Sequence, residues 1–284
     1  EWFNGTIDEV RIYNRTLSAV EILQHYNARV TLLQGESYVI NTRYNELTPD
    51  IEGVVGLWHL NEPAGSTAFA DSSGNGYNGS CSGTVCPVAA EGRLNGAFDF
   101  DGVNDYVDVS SSQLLNTLNV SKPFTVSLWF KWDGTGRSQF SVRNNANDKF
   151  SIMVFTDNTL VANTYNGVFQ AKSVDFTDTK SWHHVAATND GTPAVRAWLD
   201  GVEMTGTVSA GSGTDGKVLI GAGQTNDDRF DGKIDEVAVF DRALSPLEIK
   251  DLYRNGFPRL TVDSLKADEV YPDNIRLSGD YVYD

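Results

Sequence analysis

Between residues 53 and 256 apolar and polar positions alternate in short runs. Phe124, Val126, Leu128, Phe130 and Trp132 alternate with Thr125, Ser127, Trp129 and Lys131. Phe150, Ile152 and Val154 keep the same period, as do Val195, Ala197 and Leu199 before the turn pair Asp200-Gly201. Val218 and Ile220 follow, then Val237 and Val239. A period of two sends successive side chains to opposite faces, so these runs predict half-buried strands punctuated by Gly, Asn and Asp turns. A helix is legible at the end of the stretch. Ser245-Pro246-Leu247-Glu248 is a capping box with Pro at the first helical position, and Gly256 and Pro258 close it. The expectation is an all-β fold, two antiparallel sheets packed as a β-sandwich, with a short C-terminal helix.

An internal repeat sets the organisation. Residues 3–26, FNGTIDEVRIYNRTLSAVEILQHY, match residues 230–253, FDGKIDEVAVFDRALSPLEIKDLY, and about half the positions are identical. Each copy reads as a strand followed by a capped helix. The second copy ends a long β-rich segment. Residues 1–29 are therefore expected to be the last strand and helix of a preceding domain, with 30–52 as linker and 53–256 as one complete domain. The alternative is that 1–29 add a strand to that same domain. Residues 257–284 hold short β-prone pieces and read as a tail or the start of another module, too short for a core of their own.

The chain has 284 residues and carries 38 acidic against 22 basic side chains, a formal charge of -16. Phosphate binding is driven by Lys and Arg, so this balance argues against nucleic acid as a partner, and against an anionic membrane surface. No apolar run is long enough for a membrane-spanning helix, so no membrane insertion is expected. Strong acidity suits divalent cations. Cys81 and Cys86 lie too few in number for a structural zinc site and read as a small local disulfide, which implies an oxidising compartment. Sequons at Asn4, Asn14, Asn78 and Asn119 point the same way, to an extracellular or cell-surface address.

Five segments in order resemble a known family: GLWHLNEPAGSTAFADSSGNGYNG, FDFDGVNDYVDV, FTVSLWFKWDG, SWHHVAATNDGTPAVRAWLDGVEM and FDGKIDEVAVFDRALSPLEI. They resemble laminin G-like domains of the concanavalin A-like lectin/glucanase superfamily, a jelly-roll sandwich to which pentraxins are related. The resemblance implies a module that binds glycans or cell-surface proteins, often with calcium. It implies two candidate calcium sites. One joins the early loops to the last strand through Asp71, Asn75, Asp101 and Asp235. The other follows the pentraxin pattern through Asn147, Asp148, Gln224, Asn226 and Asp227. Its order is Asn-Asp in place of Asp-Asn, and Thr225 interrupts the second run.

Calcium needs six to eight oxygens, and Asp/Asn/Gly loops can supply them, although the same residues also make ordinary turns. Strand aromatics, Trp58, Trp129 and Trp198 among them, are expected in the core, each indole N–H seeking an acceptor. Tyr165, Asn166 and Phe169 in NTYNGVFQ are the candidates for an exposed ligand-binding surface. No strand carries the spaced carboxylates that glycoside hydrolysis needs. Asp235 and Glu236 are adjacent, and regular alternation sends them to opposite faces. The same argument separates His183 from His184. The expectation is a non-catalytic binding or adhesion module of a longer repetitive protein. The alternatives are a structural repeat of a fibre or coat that pairs with neighbouring copies, or an accessory domain of a glycoside hydrolase.

Overall fold

The computed structural model describes residues 37–43, 52–136, 140–143, 149–155, 157–165, 169–192, 194–206, 216–223, 228–255 and 259–266. In chain order the first strands are β1 (Ser37–Arg43), β2 (Val54–Trp58), β3 (Ala68–Phe69), β4 (Gly79–Ser80), β5 (Val88–Glu91), β6 (Gly96–Asp101) and β7 (Val107–Asp108). Helix α1 (Ser112–Thr117) precedes β8 (Pro123–Gly136), β9 (Phe140–Arg143), β10 (Lys149–Val154), β11 (Thr159–Tyr165) and β12 (Phe169–Asp175). Then come β13 (His183–Asp190), β14 (Val195–Leu199), β15 (Val202–Glu203), β16 (Lys217–Ile220), β17 (Phe230–Phe240), helix α2 (Pro246–Asn255) and β18 (Arg259–Lys266).

The chain divides into two units. One contains β1 and β18, paired in a two-stranded sheet. Residues read from the sequence as linker and tail thus supply one strand each. The other unit is the sandwich. One sheet runs β12-β11-β10-β9-β16-β7-β4-β3, the other β15-β14-β13-β8-β17-β6-β5 with β2 also on β17. The registered pairs within both are antiparallel. This is the two-sheet sandwich with a short C-terminal helix that the alternation predicts.

The core lies between the sheets. Phe124, Val126, Leu128, Phe130 and Trp132 of β8 meet Phe140, Phe150, Ile152, Leu160, Val218 and Ile220 from the opposite sheet. The other face of β8 is buried as well, because α2 packs there. Leu244, Ile249 and Leu252 close over Leu57, Ala186, Trp198, Ala238 and Phe240 in a second, smaller cluster. Trp129 stacks on Tyr253 of α2 at 5.8 Å between ring centroids. Thr125 ties the helix approach down: its hydroxyl donates to the Arg242 carbonyl (2.8 Å) and accepts the Leu244 amide (2.9 Å). Both halves of the predicted capping box form, Ser245 N–H to Glu248 Oε2 at 2.8 Å and Glu248 N–H to Ser245 Oγ at 3.3 Å.

Candidate functional site

Strand β17 carries the repeat motif and holds two buried carboxylates. Ile234 and Val237 both belong to the main core although they are three residues apart. The β17–β8 register shifts between Asp235 and Ala238, and Glu236 has φ 49°. One residue more than the partner strand needs is packed here, which is a β-bulge. The expected alternation fails for this reason: Asp235 and Glu236 share the face away from the main core. Asp235 is fully buried; its Oδ2 accepts the Leu94 amide at 2.8 Å, and its Oδ1 has no hydrogen-bond partner. Burial and then the neighbouring Glu236 charge push its carboxyl well above the ordinary range. Glu236 Oε1 lies 2.7 Å from His59 Nδ1. The turn that covers Asp235 runs through Arg93 and Asn95, between β5 and β6.

A second cluster of titratable side chains surrounds β13. Asp200 and Gly201 form the two-residue turn between Leu199 and Val202, both with positive φ, at 50° and 73°. That turn aims the Asp200 carboxylate back at β13. Oδ1 accepts the His184 amide (2.9 Å) and Oδ2 lies 2.7 Å from His183 Nδ1. Asp178 Oδ2 stands 3.4 Å from the other ring nitrogen of His183. Burial works to lower the His183 pKa, but the hydrogen bond and charge of Asp200, with those of Asp178, prevail and raise it. Asp178 is held down at about 2, chiefly by the Lys180 amide and the Ser181 hydroxyl. His184 turns to the opposite face, against Trp129 and Tyr253, with Nε2 2.8 Å from Ser127 Oγ. Complete burial depresses its pKa to about 4. The two histidines therefore do face apart, and each is absorbed by its own surroundings.

The candidate calcium residues are placed as follows. Asp71 organises its own loop. Oδ1 accepts the amides of Leu57 and Ser73; Oδ2 accepts the Ser73 hydroxyl and the Tyr77 amide, all at 2.8 to 2.9 Å. Asn75 turns its amide nitrogen to the Val55 carbonyl at 3.1 Å. Asp101 caps the turn after β6 by accepting the Val103 and Asn104 amides at 2.8 and 3.1 Å. Burial tends to raise the Asp101 pKa, yet those amides hold it below the ordinary value.

Asp101 pairs in register with Asp231, four residues before Asp235, so roughly 13 Å of strand lies between the two backbone positions. Asp101 and Asp235 therefore stand apart along the sheet. No cluster of three or more His, Cys, Asp or Glu fit for a metal occurs among the described residues. Asn147, Asp148, Gln224, Asn226 and Asp227 lie outside them. Of their flanks, Arg143 pairs with Lys149 and Lys217, whereas Phe140 pairs with Ile152 and Ile220. The described strand ends Lys149 and Ile220 therefore meet opposite ends of β9.

Cys81 and Cys86 are bonded to each other. Asn78 is exposed, and its carbonyl accepts the Asp71 amide at 2.9 Å. Asn119 accepts the Ser121 amide at 2.8 Å. Asn4, Asn14 and Asn166 lie outside the described residues. Tyr165 and Phe169 are register partners at the ends of β11 and β12. Two residues inward, Asn163 Nδ2 donates to Ser151 Oγ of β10 at 2.8 Å, both side chains buried. Trp58, expected in the core, is there, and its Nε1 finds the Tyr77 carbonyl at 2.9 Å.

Residues 101–250, more than half of the chain, match the family model for laminin G-like domains described as the concanavalin A-like lectin/glucanases superfamily. The chain belongs to this superfamily. No curated protein matches it. Solved structures of similar fold include domain 4 of AbnA, a GH43 extracellular arabinanase from Geobacillus stearothermophilus, in complex with arabinotriose. That match has 20% identity, covers 74% of this chain and 100% of that one, and has a TM-score of 0.55. The binding domain of Paraclostridial Mosquitocidal Protein 1 matches at 17% identity over 71% of this chain and 52% of that one, TM-score 0.54. The botulinum neurotoxin serotype C1 binding domain matches at 15%, over 72% and 52%, TM-score 0.51. The chain thus spans the whole arabinanase domain but about half of each toxin domain. At these identities the likeness is one of fold, and the superfamily sandwich accounts for it.

Proposed function

We propose that this chain is a non-catalytic recognition module that binds glycans, free or carried on surface proteins, outside the cell. One observation carries the reading. Among the described residues, the adjacent carboxylates Asp235 and Glu236 are buried and committed internally, to Leu94 and His59. Glycoside hydrolysis requires two carboxyl groups flanking a bound sugar, one of them beside water. The arabinanase domain, matched along its full length, holds an arabinotriose, which supports a sugar as ligand. The Cys81–Cys86 bond supports an oxidising location. Tyr165, Asn166 and Phe169 are the binding residues in this reading, since aromatic faces stack on sugar rings.

A glycan array probed with the intact chain, with and without chelator, tests it. Binding of a defined glycan that Tyr165→Ala weakens at least about tenfold is expected. Polysaccharide turnover abolished by a single carboxylate substitution would overturn the non-catalytic reading. The chelator arm decides the role of calcium.

A second reading, a structural building block, draws on the repeat of residues 3–26 in 230–253. Light scattering of the chain with and without residues 1–29 tests it: an assembly lost on deletion favours the building block.

A further inference from the structure

Three Asn-Gly pairs fall among the described residues, at Asn75-Gly76, Asn78-Gly79 and Asn95-Gly96. This dipeptide is open to loss of its side-chain amide, because glycine places no side chain beside its own nitrogen. Attack by that nitrogen on the preceding carboxamide needs a backbone free to turn. In sequence the three pairs are alike; the fold sets them apart.

Gly96 is held at its nitrogen: its N–H donates to Asn61 Oδ1 at 2.6 Å, and the residue opens β6 opposite Glu91 of β5. Gly79 is buried in β4 opposite Phe69, and Asn78 Oδ1 accepts the Asp71 amide at 2.9 Å. Asn75 and Gly76 are both exposed, in the loop between β3 and β4. Gly76 has φ 76°, and a methyl group built on it would meet nothing within 4 Å. The Asn75 side chain is tied through its nitrogen, by longer bonds: Nδ2 donates to the Val55 carbonyl at 3.1 Å and to Ser73 Oγ at 3.3 Å.

Those bonds help to dock the loop on β2. Asp71 accepts the Leu57 amide at 2.9 Å, and Asn75 reaches Val55 two residues before it. Replacing Nδ2 by a carboxylate oxygen removes the donor, sets an acceptor against the Val55 carbonyl and adds negative charge to the loop that holds Asp71.

We propose that Asn75 is a site of spontaneous deamidation, and that its conversion loosens the 71–77 loop from β2. The Gly76 nitrogen attacks Asn75 Cγ. The N–Cγ bond forms, the Cγ–Nδ2 bond breaks, and the Gly76 proton leaves with Nδ2 as ammonia. Water then opens the cyclic imide at either carbonyl, giving aspartate or isoaspartate. Water is the co-reactant, and nothing is oxidised or reduced. The isoaspartate product also adds a methylene to the main chain, within a loop whose bonds to β2 depend on its spacing.

The test holds the intact chain in mildly alkaline buffer, samples it over time and maps its peptides by mass spectrometry. Asn75 is expected to deamidate at least about tenfold faster than Asn78 or Asn95. In denaturant, where the same dipeptide is bare at all three places, that gap is expected to close. Asn75→Asp, a fixed copy of the aspartate product, is expected to speed hydrogen exchange at the Leu57 amide. Equal rates at the three sites in the folded chain, or a faster reaction at Asn78 or Asn95, overturns the inference. A gap that persists in denaturant overturns the fold as its cause. Unchanged Leu57 exchange in Asn75→Asp overturns the loosening.

Discussion

The Asp235 carboxylate accepts the backbone amide of Leu94 at 2.8 Å from a position with no solvent access. Its folded-state pKa is raised, so its stabilising contribution is fully present below the unfolded value of 3.8 and is lost as pH rises through the folded value. Asp235→Asn keeps an acceptor for Leu94 without a charge. It is expected to match or exceed wild-type stability at pH 7 and to flatten this part of the pH profile. Asp235→Ala leaves the amide unpaired and is expected to cost about 1–3 kcal/mol. Urea denaturation of the three proteins across pH checks both.

His183 and His184 are adjacent but act in different pH windows. The buried His184 has its pKa lowered from 6.5 to about 4, so the unfolded chain takes up a proton that the folded chain refuses. Stability is expected to fall by about 3 kcal/mol as pH drops from 6.5 to 4. His183 has a raised pKa, so its pairing with Asp200 and Asp178 stabilises fully below 6.5 and fades as pH rises through the folded value. His183→Asn should therefore remove the alkaline-side loss and leave the acid-side loss in place. Resolved histidine titrations by NMR give the assignments independently.

The Cys81–Cys86 bond closes a short loop beside β4. The loop-closure argument gives about 2 kcal/mol for a ring this small. Thermal melting with and without reductant should show a lower Tm on reduction, and a Cys81→Ala/Cys86→Ala protein should no longer respond to reductant.

Gly232 sits at φ 133° near the start of β17, where a methyl group would overlap the carbonyl oxygen of Lys131 on the paired strand β8. The obstacle is backbone within a sheet and cannot swing away. Gly232→Ala is expected to destabilise by about 3 kcal/mol or more. Chemical denaturation measures it.

Much of the sandwich was legible because a period of two needs only the order of residues. The alternation along Phe124–Trp132 identifies β8, and the Ser245/Glu248 box identifies α2. What escaped was set by three-dimensional packing. The outward residues of β8 are buried because a helix more than a hundred residues later covers them, and no local pattern announces that. The bulge at Asp235–Glu236 has no glycine to mark it; its signal is the three-residue step between Ile234 and Val237. Helix α1 went unseen because it has only six residues. In hindsight the cap was readable, since Ser111 Oγ accepts the Leu114 amide at 3.0 Å and Leu114 and Leu118 are apolar. The candidate calcium sets drew on loops that look alike in sequence. Strand register sets Asp101 apart from Asp235.

Strand β17 pairs with β8, β6 and β2 and lies in the interior of its sheet. Those partners lie far upstream, so Ile234 meets Phe98 across well over a hundred intervening residues. On the ribosome the earlier strands have no stable shell to join until this late segment emerges. Closure is then a single slow event, expected to depend on shielding of the waiting edges from one another. A ribosome stalled before Phe230 should carry a protease-sensitive chain, and one released past α2 a resistant one.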